Sequence, residues 1–201
     1  QDKRFHPGEA LTSRIFARLL SSTFDWLVTV DPHLHRFANM SELYASPVEV
    51  CHAAQDVAHW IKSAIARPII IGPDSESQQW VSAVAAIAEA PYVTLSKSRL
   101  GDRQVIISFP NLDTWQGRTP VLVDDIISSG RTMVEATKTL VQLGFPPPVI
   151  VAVHGIFADN AHADLLDAGA ARIVTTNCVP HATNAIDIGG LLTAATRKFI
   201  S

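Results

Sequence analysis

The sequence predicts an α/β protein built on a parallel sheet with helices on both faces, and three observations carry the prediction. Short apolar runs at 68–71, 120–123 and 149–153 are continuous rather than alternating, the pattern of strands covered on both sides. Stretches with apolar residues at helical spacing lie between them. Polar residues gather at the ends of the runs, and sheets of this kind bind ligands beyond the carboxyl ends of their strands.

The elements follow in order. Between residues 9 and 20, Leu11, Ile15, Phe16 and Leu19 recur at helical spacing; 26–30 then read as a strand ending at Asp31, with Pro32, His33 and His35 in the next loop. Ser46-Pro47-Val48-Glu49 combines a capping residue, a proline at the first helical position and a glutamate placed to close a capping box. A helix is therefore expected from there, with Cys51, Ala54, Ala58, Ile61 and Ile65 as its buried stripe. The run 68–71 is a strand, Gly72-Pro73-Asp74 its loop, and a helix continues through Ala90. Residues 92–95 and 104–109 read as strands flanking the polar segment 96–103. The strand 120–123 leads into a helix from about Ser129 to Leu143, stopped by Gly144. A strand at 149–153, a helix capped by Asp159 and running to Ala168, a strand at 172–175 and a helix at 191–199 complete the chain. The domain boundary falls near Ser46 and Pro47.

Composition narrows the function. The chain has 201 residues, 47% of them hydrophobic and 17% charged, enough for one or two domains with real cores. A net charge of −3 gives no broad footprint for nucleic acid. No apolar stretch reaches the roughly 18–20 residues of a membrane span. Cys51 and Cys178 have no partners at metal-ligand spacing and read as core thiols of a reducing cytoplasm. The chain starts at Gln1 without methionine, so a preceding segment is expected.

Four strand ends carry polar residues that a buried sheet does not need: Asp31/His33, Asp74, Lys97/Arg99 and Asp124/Asp125, expected along one edge. The most informative is Asp124-Asp125-Ile126-Ile127-Ser128-Ser129-Gly130-Arg131-Thr132. Its small residues let the backbone turn from a buried strand into a helix, whose first amides and positive dipole end make an anion site. The hydroxyls of Ser128, Ser129 and Thr132 add donors. Two carboxylates beside such a cradle repel phosphate, so they are better used as acceptors for hydroxyls of the same ligand. A sugar phosphate meets both requirements. An acidic helix cap, or the acid pair of a receiver or nucleotide hydrolase, is the alternative; no glycine-lysine phosphate loop occurs in the chain.

This segment resembles the phosphoribosyl diphosphate (PRPP) signature that phosphoribosyltransferases share with PRPP synthetase. The rest of the chain resembles PRPP synthetase in particular. Gln1-Asp2-Lys3 is similar to the end of that family's Arg-Gln-Asp-Arg/Lys segment, and Thr29-Val30-Asp31-Pro32-His33 to its Val-Asp-Leu-His strand end. Ile71-Gly72-Pro73-Asp74 resembles its Ser-Pro-Asp loop, Lys97-Ser98-Arg99 its basic flexible loop, and Val153-His154-Gly155-Ile156-Phe157 its Thr-His-Gly-Leu-Phe strand.

The resemblance implies a type I phosphoribosyltransferase-like domain at 47–187, preceded at 1–46 by the end of a similar α/β domain and followed by a C-terminal helix at 188–201. It implies attack by the anomeric hydroxyl of ribose 5-phosphate on the β-phosphorus of ATP, giving PRPP and AMP for nucleotide biosynthesis, in a cytoplasmic homo-oligomer. Asp124 and Asp125 would bind ribose hydroxyls, and Ser128, Ser129, Gly130, Arg131 and Thr132 the 5-phosphate. Lys97 and Arg99 would be catalytic, closing over the transferring phosphates; Gln1, Asp2 and Lys3 would bind ATP; His33 and Asp74 would hold magnesium.

Plainer roles stand beside these: His33 and His35 as loop histidines, Lys97 and Arg99 as a solvated hairpin face, Asp74 as a helix cap, His154 as a core histidine, Trp60 and Trp80 as packing. The chain also departs from the family. Ser75-Glu76-Ser77-Gln78-Gln79 replaces the glycines that usually follow Asp74, Ser128 replaces a third acid, and Arg131 stands where glycine or alanine is usual. A phosphoribosyltransferase consuming PRPP, or a non-catalytic homologue that binds PRPP or nucleotide and regulates a partner, are the alternatives.

Overall fold

The computed structural model describes residues 2–34, 36–74, 77–100, 104–108 and 113–200, with 96–100, 104–108 and 113 described by backbone alone. The chain divides into two compact units, one of Gln1–Ala53 with Gly189–Ser201 and the other of Ala54–Ile188.

The first unit opens with α1 (Thr12–Thr23), which starts later than the sequence suggests and without a side-chain cap at Leu11. Only Ala17 is buried on it; Ile15, Phe16 and Leu19, the apolar stripe, are more than half exposed. β1 (Leu27–Val30) follows and pairs in parallel with β2 (Val48–Cys51), Leu27 opposite Val48 and Val30 opposite Cys51. β2 corrects the helix expected from Ser46. Two β-branched residues, Val48 and Val50, and a four-residue ladder to β1 outweigh a local capping pattern. Helix begins only at α2 (Ala54–Ala64), where Val57, Ala58 and Ile61 are buried.

The second unit contains α2 and a six-stranded, all-parallel sheet in the order β10-β9-β8-β7-β3-β4. Its first strand, β3 (Pro68–Gly72), leads through α3 (Gln78–Ala88) to the edge strand β4 (Tyr92–Thr94). Next comes an antiparallel hairpin, β5 (Ser96–Leu100) with β6 (Gln104–Ser108). Most of the segment expected to be a polar connection is thus itself strand, paired with Val105, Ile106 and Ile107. The chain then returns to the other side of β3 as β7 (Thr119–Ile127). β7 runs four residues past the expected end because β8 (Val149–Gly155) pairs with it as far as Ile127 opposite Gly155. Asp124 and Asp125 consequently lie within a strand.

Between β7 and β8 lies α4 (Arg131–Gln142), ended as expected by Gly144 at φ 79°. α5 (Ala161–Asp167) follows β8 without a side-chain hydrogen bond at its cap, Asn160, so Asp159 is not the cap expected. β9 (Arg172–Thr176) and β10 (Asn184–Ile186) complete the sheet. β10, three residues with no legible period, is absent from the sequence expectation. Ile69, Ile71, Leu122 and Ile150 of the central strands meet Met133, Ala136 and Leu140 of α4 and Leu165 of α5 in one buried core. Each such side chain contributes about 1.5–3 kcal/mol.

The closing helix α6 (Gly189–Ile200) groups with the first unit, where Phe199 stacks on Trp26 at 4.9 Å and Lys198 pairs with Glu49 at 2.5 Å. Among the described residues no helix is long and apolar enough to cross a membrane.

Candidate functional site

The strand order places a topological switch point in the second unit, between β3 and β7. From β3 the chain moves outward to β4, then crosses to the opposite side as β7, so the connections beyond the carboxyl ends of β3 and β7 diverge. That switch point is where parallel sheets leave room for a ligand. Asp74 follows β3, and Asp124 and Asp125 lie near the end of β7.

Asp74 closes a turn ahead of α3 without capping it: its carboxylate accepts the amide of Ser77 at 3.1 Å and its carbonyl the Ser77 hydroxyl at 2.7 Å, while Ser77, at the N-terminal cap position, makes no side-chain capping bond. Asp74 is also close enough to act on its neighbour across the switch point. The Asp124 carboxyl is pushed up to about 8, first by burial, then by the Asp125 carboxylate and more weakly by Asp74. The amide of Asp125, donating to Asp124 at 3.0 Å, opposes the rise without cancelling it. At neutral pH Asp124 therefore carries a proton, and the switch point has acidic groups suited to hydroxyls or to a cation.

Beside these groups the chain turns into α4. Gly130 has φ 65°, a conformation glycine adopts without penalty, and the first helical bond runs from Val134 to Gly130 at 2.9 Å. The amides of Arg131, Thr132 and Met133 precede that bond, so they have no helical carbonyl to reach and mark a positive helix end. Ser128, Ser129 and Arg131 are exposed, Thr132 partly so. An acid pair and an anion cradle thus lie a few residues apart on one strand-turn-helix segment.

A further contribution comes from the loop after β8, whose first residues, Ile156 and Phe157, close the segment that resembles the family's Thr-His-Gly-Leu-Phe strand. Ile156 and Phe157 each donate an amide to the Ile127 carbonyl at 3.0 Å, and Ala158 donates to Ser128 at 3.0 Å. Phe157, at φ 48°, is left-handed, which costs a residue with a side chain about 1–2 kcal/mol. His154 is partly buried on β8, opposite Ile126. Trp60 packs under the Arg172 guanidinium at 5.2 Å.

The remaining candidates divide between the units. In the first, Asp2 receives both of its oxygens' bonds from Arg36 at 2.6 Å and lines, with His33, Glu9, Ser13 and Phe37, a cavity of about 600 Å³. The Lys3 ammonium sits 4.7 Å from the Phe5 ring centre. Asp31, buried at φ 36°, receives the Ala53 amide at 2.8 Å and contacts His52 Nδ1 at 2.9 Å, holding β1 to the chain beyond β2. Gln1, His35, Ser75 and Glu76 lie outside the described residues, as do the side chains of Lys97 and Arg99, whose backbone forms part of β5. No group of three or more potential metal-ligating side chains occurs among the described residues.

Comparison with known proteins adds three findings. The phosphoribosyl transferase domain family matches residues 43–188. A ribose-phosphate pyrophosphokinase of Methanopyrus kandleri is 36% identical over 183 residues, covering 90% of this chain and 62% of that protein. A second, of Archaeoglobus fulgidus, is 34% identical, covering 96% of this chain and 68% of that protein. The chain therefore spans a little under or over two thirds of these relatives' length. Among solved structures, the phosphoribosylpyrophosphate synthetase of Mycobacterium smegmatis superposes with a TM-score of 0.80 at 24% identity, over 99% of this chain and 67% of that one, a likeness of fold.

Proposed function

Because the chain belongs to the ribose-phosphate pyrophosphokinase family and carries its phosphoribosyl transferase domain, we propose that the protein transfers the diphosphoryl group of ATP to ribose 5-phosphate. The anomeric hydroxyl oxygen bonds to the β-phosphorus, the bond between that phosphorus and the α-phosphate oxygen breaks, the hydroxyl proton is released, and PRPP and AMP result. The observation that carries this reading is the switch point, where acid groups suited to hydroxyls adjoin a helix end suited to phosphate.

Asp124 and Asp125 bind the ribose hydroxyls. With Asp124 protonated in the free protein, the pair offers a donor as well as acceptors to hydroxyls that are themselves both. Ser128, Ser129, Gly130, Arg131 and Thr132 hold the 5-phosphate through helix-end amides, hydroxyls and the Arg131 cation. This fixes the anomeric oxygen for in-line attack, and positioning is the main source of acceleration in such transfers. Lys97 and Arg99 neutralise charge on the transferring phosphates, and Gln1, Asp2 and Lys3 belong to the ATP side.

Magnesium fits the donors present. Burial raises the Asp124 carboxyl most, and the part of the rise that comes from the Asp125 and Asp74 carboxylates is what a cation would offset; magnesium commonly uses one or two carboxylates with water and substrate oxygens, so a three-ligand protein cage is not required. Asp74, beside Asp124 in the second unit, would be a magnesium ligand there, and His33 is assigned to magnesium by the resemblance alone. When bound, magnesium neutralises charge on the phosphates of ATP. By the resemblance, residues 1–46 are the end of a similar α/β domain and 188–201 a C-terminal helix, and the protein works in the cytoplasm as a homo-oligomer.

The full-length protein should form AMP from ATP only when ribose 5-phosphate and magnesium are both present. Failure to form AMP under those conditions would overturn the assignment, and base-dependent release of pyrophosphate from PRPP would replace it with a phosphoribosyltransferase.

A further inference from the structure

We propose that Phe157 is a positioning residue for the sugar-phosphate loop: its ring, set among Gly155, His162 and His181, fixes a backbone turn that aims three consecutive amides at that loop's base. The inference deepens the ribose 5-phosphate reading of 124–132 and rests on it.

The carbonyls of Ile127, the last residue of β7, and of Ser128 stand ahead of α4. They are held by the amides of Ile156, Phe157 and Ala158, each at 3.0 Å. For those amides to converge, the chain turns through Phe157 at φ 48°, a region phenylalanine seldom occupies. Such a backbone persists where the surroundings over-determine it.

Those surroundings can be named. The Phe157 ring folds back across Gly155: a Cβ added there would stand 2.5 Å from Phe157 Cε2 and 2.8 Å from Thr175 Cγ2, so the seat exists because residue 155 lacks a side chain. The ring meets His162 edge-on at 5.4 Å and His181 at 4.6 Å, and the two imidazoles are 5.2 Å apart. His181 is itself anchored, its Nδ1 lying 2.9 Å from the Thr183 hydroxyl. α5, beginning four residues beyond Phe157, supports the same loop from below, since a Cβ on Gly130 would reach 3.4 Å from that of Ala161. Phe157 thus acts through backbone geometry. Without its ring the turn loses the contacts that offset its unfavourable conformation, and the carbonyls beneath the phosphate site lose their fixed donors.

The test uses the full-length protein with Phe157→Ala and Phe157→Tyr, kinetics in each substrate and amide hydrogen exchange. Phe157→Ala is expected to raise KM for ribose 5-phosphate about 10- to 100-fold while KM for ATP stays within about twofold, the scale on which misplacement of a binding group acts. Phe157→Tyr should restore the wild-type value, and the amides at 156–158 should exchange faster in the alanine variant alone. Unchanged KM for ribose 5-phosphate, or parallel losses for both substrates with a fall in melting temperature, would overturn the proposal. If the wild-type protein does not respond to ribose 5-phosphate, the ligand reading fails by itself, and unchanged protection at 156–158 in Phe157→Ala would then overturn the role of the ring.

Discussion

The two units treat apolar surface in opposite ways. In the second, Ile69, Ile71, Leu122 and Ile150 are wholly buried between a six-stranded sheet and its helices, and the topological switch point lies at the strand ends of that packed layer. In the first, a two-stranded sheet accompanies α1 with Ile15 at 55%, Phe16 at 56% and Leu19 at 59% exposure, and Asp2 and His33 line an open cavity instead of a strand-end switch point. Strand ends on a packed sheet hold their groups at fixed separations; segments on a thin layer depend more on what they bind. The residues proposed for the sugar phosphate, Asp124 to Thr132, therefore belong to one unit, and those proposed for ATP and magnesium are divided between the two.

The comparison breaks most readily at Asp124 and Asp125. Replacing both with alanine should lower kcat/KM for ribose 5-phosphate by about 30- to 2,000-fold, since Asp125 loses charge-assisted bonds of about 1.5–3 kcal/mol and the protonated Asp124 neutral ones of about 0.5–1.5 kcal/mol. Steady-state kinetics would check this, and near-normal activity would remove the acid pair from the mechanism. Next in size is Leu122→Ala, expected to destabilise by about 2–5 kcal/mol in denaturant unfolding, because a wholly buried side chain leaves a cavity in a core that relaxes only in part.

The third prediction concerns pH. The Asp124 value in the folded protein, about 8, lies above its ordinary 3.8, so the folded state holds the proton more tightly. Its contribution to stability is complete below about pH 4 and is lost as the pH rises through about 8. Without ligand, the melting temperature should fall between pH 6 and 9, and Asp124→Asn should flatten that slope; equal slopes would show the group is not held as described. The smallest effect belongs to the first unit, where Phe16→Ser should shift the unfolding free energy of this chain by no more than about 0.5 kcal/mol, the usual range for an exposed site. A larger loss would mean that the α1 stripe is covered.

What could be read from sequence follows the same division. The segment from Asp124 to Thr132 is legible because strand, acid pair, turn and helix end are contiguous, so local rules are enough. β2 is not: Ser46-Pro47-Val48-Glu49 carries every local mark of a helix start, and the ladder that overrides it comes from Leu27, 21 residues earlier. Asp31 resembles a site carboxylate for the same reason, since its partners His52 and Ala53 lie 21 and 22 residues away. The expectation that all four polar strand ends share one edge assumed a single sheet, whereas Asp31 and His33 belong to one unit and Asp74, Asp124 and Asp125 to the other. The segment 153–157 is marked by the resemblance, but the role of the amides at 156–158 is not legible in it because backbone donors are common to every residue.

The central claim is that ribose 5-phosphate binds at the switch point between β3 and β7, and titrating it into the full-length protein while following backbone amide resonances tests this most directly. Saturable shifts at Gly130, Arg131, Thr132 and Met133, abolished in the double Asp124→Ala and Asp125→Ala variant, are the predicted result. Binding that leaves these four amides unmoved, or that survives in the variant, would contradict it.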